Sequence, residues 1–128
     1  MAKPILTLAV FAVLAVTGPA AAQSAETINI SLSDYAFAPA ALELKAGTAY
    51  HLHFTNAGSK DHDFTAPEFF AAAQVAPDDQ AKIRRGKVAV DKGHEVDVTV
   101  TPAAGNYKAS CTHFMHSMMG MHGTIAVQ

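Results

Sequence analysis

The chain reads as all-β: a sandwich of seven or eight short strands carrying one or two short inserted helices. Three observations predict this. Stretches such as Thr27-Ile28-Asn29-Ile30-Ser31-Leu32-Ser33 alternate polar and apolar residues with the period of two that a half-buried strand requires. Turns containing glycine or proline recur at the regular spacing of stacked short strands. Helical signals are confined to one stretch, between Pro67 and Gly86.

The elements follow in chain order. Ile28, Ile30 and Leu32 share one face of the first strand. Phe37-Ala38-Pro39 turns the chain into Ala41–Lys45, and Ala46-Gly47 makes the next turn. Tyr50, Leu52 and Phe54 then point inward between Thr48 and Thr55, which leaves His51 and His53 as a solvent-facing pair on the other side. Asn56-Ala57-Gly58-Ser59 forms a loop before a short strand about His62-Asp63-Phe64. Pro67–Ala73 opens with proline and an acid ahead of good helix formers. Pro77–Arg85 repeats the signal, acids first and bases last, as the helix dipole favours. Lys82, Arg84, Arg85 and Lys87 form a small basic patch there, read as a solvated helix end. Lys87–Asp91 and Glu95–Thr101 are expected to form a hairpin about Lys92-Gly93, with His94 at the surface. Pro102-Ala103-Ala104-Gly105 turns into Tyr107–Cys111, and Thr124–Val127 closes the fold.

The N-terminus indicates export. Lys3, an apolar run from Ile5 to Val16, the Gly18-Pro19 break and Ala20-Ala21-Ala22 together read as a secretory signal peptide over residues 1–22. The apolar run is too short for a membrane span, so none is expected after cleavage. A periplasmic protein is predicted, with residues 23–128 as one domain of 106 residues, enough for a single core. The formal charge of −2 becomes −3 once Lys3 is lost, and nothing in it suggests nucleic acid. A monomer is expected.

Residues 111–123, Cys-Thr-His-Phe-Met-His-Ser-Met-Met-Gly-Met-His-Gly, hold the single cysteine, three of seven histidines and four of five methionines. A lone thiol in an oxidising compartment is paired between chains, left reactive or occupied by a metal. Thiolate, imidazole and thioether are the ligand set that copper prefers. The following strand pins this cluster in a loop between two strands, where geometry can be imposed on an ion. Cys111 is the only thiolate candidate. His113 lies two residues after Cys111, and a continuing strand would put both on one face with little room to close a chelate. No Ser-His-Asp arrangement, phosphate loop or paired-carboxylate site stands out, and no enzyme is predicted.

Asn56, His62 within a strand, Tyr107-x-x-x-Cys111, a following His and Met121-x-Gly123-x-Ile125-x-Val127 together resemble the cupredoxins, the type 1 blue copper family of plastocyanin, azurin and pseudoazurin. The likeness spans the mature chain. It implies a Greek-key sandwich holding one copper ion, Cu(I)/Cu(II), bound by one upstream His and by Cys, His and Met on a single loop. Carried onto this chain, the ligands are His62, Cys111, His116 and Met121; His113 competes with His116, and Met118 and Met119 compete with Met121. It implies an electron carrier whose redox partners are proteins such as cytochromes, oxidases or reductases. Partner docking would use the rim of the loop, including Phe114, Met115 and Met118. Two departures stand out. Asp63 replaces the asparagine usual after the first His and should favour Cu(II) through its charge, and the Cys111–Met121 interval is long and rich in His and Met. The second departure sustains an alternative, a periplasmic copper chaperone or resistance protein that holds Cu(I) through Met115, Met118, Met119, His113 and His122.

Overall fold

The computed structural model describes residues 24–113 and 115–128, together with residues 2, 14, 15 and 18. Apart from those last four positions, the predicted signal peptide lies outside the described residues, as does Phe114. Eleven strands are present among the described residues: β1 (Glu26–Ser33), β2 (Ala36–Ala38), β3 (Ala41–Leu44), β4 (Tyr50–Asn56), β5 (His62–Thr65), β6 (Gln74–Val75), β7 (Ile83–Arg84), β8 (Lys87–Val90), β9 (Glu95–Thr101), β10 (Gly105–Ser110) and β11 (His122–Val127). They build two sheets, ordered β2-β1-β4-β9-β6 and β3-β11-β10-β5-β8-β7. The count exceeds seven or eight because β2, β6 and β7 are two or three residues long, too short for alternation to register.

Successive strands pass back and forth between the sheets, the connectivity of a Greek-key sandwich. Two parallel pairings result, β1 with β4 (Glu26 opposite Tyr50) and β3 with β11 (Ala41 opposite Thr124). The expected alternation is present: Ile30, Leu32, Leu52, Phe54, Val98 and Val100 come from one sheet and Val88, Val90 and Ile125 from the other, all nearly solvent-free. Each such side chain contributes about 1.5–3 kcal/mol by leaving water. Phe64 centres the layer, with ring centroids 5.1 Å from Phe54 and 5.2 Å from Phe37.

The predicted hairpin at Lys92-Gly93 is not formed. β8 pairs with β5 and β7 in one sheet, whereas β9 pairs with β4 and β6 in the other. A tight turn is there, with Gly93 at φ +76° and His94 N–H donating to the Asp91 carbonyl at 2.9 Å. The turn carries the chain across the sandwich, because the valines of both strands bury against the common core from opposite sides. The same turn chemistry serves hairpin and crossover, and alternation cannot separate them.

The two helical signals fall where expected. Helix α1 (Pro67–Ala72) starts on its proline and buries Phe69 and Phe70. Pro77–Lys82 is a 3-10 turn instead of an α-helix. Lys82 does not stand free in the basic patch: its Nζ donates to Asp79 Oδ1 at 2.7 Å and to the Asp97 carbonyl at 2.8 Å. Among the described residues no helix is long and apolar enough to cross a membrane.

Candidate metal centre

Three neighbouring strands bring the chemistry to one end of the sandwich. His62 opens β5, Cys111 follows β10 directly and Met121 immediately precedes β11. β10 lies between the other two, with Ser110 opposite both Thr65 and His122, so the three positions converge. The loop from Cys111 to Met121 is closed by Cys111 N–H donating to the Met121 carbonyl and Met121 N–H donating to the His116 carbonyl, each at 3.2 Å. Within it a 3-10 turn, Ser117–Met119, ends on Gly120 at φ +92°, a left-handed conformation suited to glycine. The loop thereby folds back, burying His116 and Met121.

Three donor atoms meet. His62 Nδ1 and His116 Nδ1 are 3.1 Å apart, Cys111 Sγ is 3.4 Å from His116 Nδ1 and 3.9 Å from His62 Nδ1. For metal–nitrogen and metal–sulfur bonds of about 2.0–2.3 Å, trigonal geometry separates such donors by about 3.5–3.7 Å, so the triangle fits a metal ion with shifts of a few tenths of an ångström. Among the described residues this trio is the only His/Cys/Asp/Glu group with ligand atoms so gathered. Met121 is fully buried at the same end. An N₂S set with a thioether at hand suits copper.

Burial pushes the Cys111 thiol up, and burial together with His62 and His113 pushes His116 down. Copper binds the thiolate, so metal uptake would release the Cys111 proton.

The other loop residues lie elsewhere. His113 is exposed and stands outside the triangle: its Nε2 lies 3.9 Å from Asp63 Oδ2, and its ring centroid is 5.5 Å from that of His116. Met115, Met118 and Met119 are 48%, 80% and 57% exposed, so none is packed into the buried donor cluster. His122 and His94 are exposed. His51 and His53 face outward as expected, yet they are engaged: His53 Nδ1 lies 2.5 Å and His51 Nε2 3.2 Å from Asp97 Oδ1, and His51 Nδ1 lies 3.1 Å from Thr99 Oγ1.

Asp63 ties the two ligand segments. It is buried, and its carboxylate accepts from Thr112 N–H at 2.9 Å, Thr112 Oγ1 at 2.8 Å and Thr65 Oγ1 at 2.6 Å. Asn56, also buried, organises the loop before β5 by donating to the Lys60 and Val90 carbonyls and accepting from Gly58 N–H. Sequence reasoning passed over Asp34 and Tyr35, in the turn between β1 and β2. Asp34 Oδ1 lies 2.7 Å from His62 Nε2, and hydrogen bonds from Ser59, then His62, hold its carboxyl down at about 2. The Tyr35 ring stands edge-on to His116 at 4.9 Å. No local motif marks either residue.

A buried His/Cys/His triangle with a buried methionine, at the end of a Greek-key sandwich, defines a soft-metal site on a β scaffold. Residues 6–127 match the cupredoxin-like domain, and the chain belongs to that family. Solved structures with the same fold include auracyanins. Dithionite-reduced auracyanin from Roseiflexus castenholzii is 20% identical, with 83% of this chain and 99% of that one covered at a TM-score of 0.61. Auracyanin B is 26% identical, covering 85% and 93% at 0.59. Auracyanin A from Chloroflexus aurantiacus, described as a "blue" copper protein, is 22% identical, covering 82% and 100% at 0.60. Comparison with curated protein sequences gives no significant match.

Proposed function

We propose that this protein is an exported electron carrier, not an enzyme, with one type 1 copper site formed by His62, Cys111, His116 and Met121. The convergence of the two Nδ1 atoms and Sγ within 3.1–3.9 Å carries the reading. Bound copper would supply one-electron Cu(II)/Cu(I) chemistry. The chain would supply the rest: His62 and His116 as imidazole donors, Cys111 as thiolate, Met121 as a weaker thioether, and a sandwich that holds them in place for both oxidation states. Family membership and the copper description of auracyanin A support it. The carrier acts as a periplasmic monomer, released by cleavage near residue 22, and exchanges electrons with redox proteins near His116.

The test is the optical spectrum of copper-loaded protein. The wild type should show an intense visible thiolate-to-copper band at a stoichiometry of one, and Cys111→Ser should abolish it because a hard, protonated hydroxyl cannot replace the thiolate. A colourless wild type, or a band surviving in the serine variant, overturns the assignment. One observation favours a second reading, Cu(I) handling: the exposed Met115, Met118 and Met119 beside the site. A colourless protein that passes Cu(I) to an acceptor would establish it.

A further inference from the structure

We propose that Asp34 is a positioning residue of this centre: its carboxylate receives the Nε2–H of His62, fixes that imidazole for ligation through Nδ1, and favours Cu(II) over Cu(I). The inference rests on the copper reading above.

His62 is fully buried, so its ring needs partners at both nitrogens. Nδ1 faces Cys111 and His116, while Nε2 lies 2.7 Å from Asp34 Oδ1. A carboxylate can only accept, which places the proton on Nε2 and leaves the Nδ1 lone pair directed at the donor triangle. Asp34 is itself anchored. Ser59 N–H lies 3.2 and 3.1 Å from its two oxygens, and Ser59 Oγ–H donates to Oδ2.

An independent observation comes from Gly58. A Cβ there would stand 2.5 Å from Asp34 Oδ1 and 2.7 Å from His62 Nε2. The backbone passes over the point where carboxylate meets imidazole, and only glycine leaves that point clear. Turn β1–β2, the loop before β5 and the ligand histidine are thus fitted around one hydrogen bond. Asp63 plays a different part, since its hydrogen bonds go to Thr65 and Thr112 and none to either triangle imidazole.

A carboxylate on the far nitrogen of a ligating His polarises the N–H and strengthens the ring as a donor; its loss typically costs 10–100-fold in metal affinity. The strengthened donor and nearby negative charge both favour the more highly charged cupric ion. Full-length Asp34→Ala, Asp34→Asn and Gly58→Ala proteins are loaded with copper, and Cu(II) and Cu(I) affinities are measured by chelator competition alongside midpoint potentials. Asp34→Ala should lose about 10–100-fold in Cu(II) affinity and clearly less in Cu(I) affinity. Each tenfold change in that ratio raises the potential by about 59 mV. Asp34→Asn, isosteric and still able to accept from Nε2–H, should fall between wild type and alanine. Gly58→Ala should move in the same direction as Asp34→Ala.

A folding defect does not confuse the test, because the His62 Nε2–H can be read in the wild type alone. In the diamagnetic Cu(I) protein it should appear as a protected, downfield imidazole resonance. Its absence there overturns the proposal, as does an Asp34→Ala protein within twofold of wild type in both affinities. A wild type lacking the intense visible band refutes the copper reading instead, so the two failures are distinguishable.

Discussion

Asp63 offers the sharpest test of how the ligand loop is held. Its carboxylate is 1% exposed and accepts three hydrogen bonds, two from Thr112 and one from Thr65. Hydrogen bonds to charged groups contribute about 1.5–3 kcal/mol each, so the gross gain is about 4.5–9 kcal/mol. Burying the carboxylate costs several kcal/mol, partly offset by Lys87 Nζ at 3.9 Å. Deleting such a buried partner typically costs about 3–5 kcal/mol, because the groups left behind are unsatisfied. Asp63→Ala should therefore destabilise the metal-free protein by that amount, a large share of the about 5–15 kcal/mol that holds a domain folded. Asp63→Asn should cost only about 1–2 kcal/mol: its carbonyl still accepts from Thr112 N–H, and its amide can donate to the Thr112 hydroxyl. Equilibrium denaturation under reducing conditions measures both. A cost below about 1 kcal/mol for alanine, or equal costs for the two variants, would refute the tie. In copper-loaded protein Asp63→Asn should also raise the potential, since a buried negative charge that favours Cu(II) is gone; a lowered potential contradicts the electrostatic part.

Three further expectations follow from the site and its surroundings. His116→Gly should open the centre to added imidazole with a changed spectrum, while His113→Ala, whose ring points toward Asp63, should keep colour and copper stoichiometry; the reverse pattern would move the ligand role to His113. Met121→Gln should retain copper but lower the potential, since the soft thioether favours Cu(I), whereas Met118→Leu and Met119→Leu, at exposed positions, should shift it much less; a shift confined to Met119→Leu would reassign the axial ligand. His53 is pushed up mainly by its hydrogen bond to Asp97, with Glu95 3.8 Å away, and Asp97 is pushed down mainly by the same bond. His53 thus adds stability that is full below its unfolded value of about 6.5 and fades as pH rises through its raised folded value; Asp97 adds stability that fades as pH falls through its lowered one. Wild-type melting curves should show stability falling as pH rises above about 6.5 and through the raised value of His53, and His53→Gln should lose that fall; an unchanged profile would show that the pair does not titrate this way.

Much of this architecture was legible because it obeys a period of two. Ile30 and Leu32, Tyr50, Leu52 and Phe54, and Val98 and Val100 alternate inward as their sequence pattern requires. Thiol, imidazole and thioether crowd one loop of the sequence, and in the structure that loop buries Cys111, His116 and Met121 while leaving His113 exposed. What alternation could not show was partnership between strands. The turn at Gly93 looks the same whether β8 and β9 pair or part, and they part. Nor could it show the Asp34–His62 contact, which joins a turn to a strand 28 residues away. Alternation turns His51 and His53 outward but is silent on their partners, because their bonds to Asp97 and Thr99 depend on the register of β4 against β9.

The same geometry bears on carrier against copper donor. A protein that hands copper on must release it, and release here means withdrawing donors that are 0–7% exposed. His116 would have to swing its ring out from beside Tyr35, and withdrawing Cys111 or Met121 would loosen the Cys111–Met121 closure. Asp63 holds Thr112 to the opposite strand and resists that opening. Passing an electron demands none of this. His116 is the donor residue nearest solvent, bordering an open cleft lined by Tyr35, Lys60, Asp61, His113, Met115 and Met119. An electron can cross that one ring while the other donors stay fixed. Exposed thioethers beside a locked site are then better placed as a contact surface for a redox partner than as a relay for the ion. If copper transfer to a Cu(I) chelator proceeds faster than loop opening measured by hydrogen exchange at Cys111 and Met121 amides, the ion leaves by a route that does not unlock the loop, and the argument for the carrier fails.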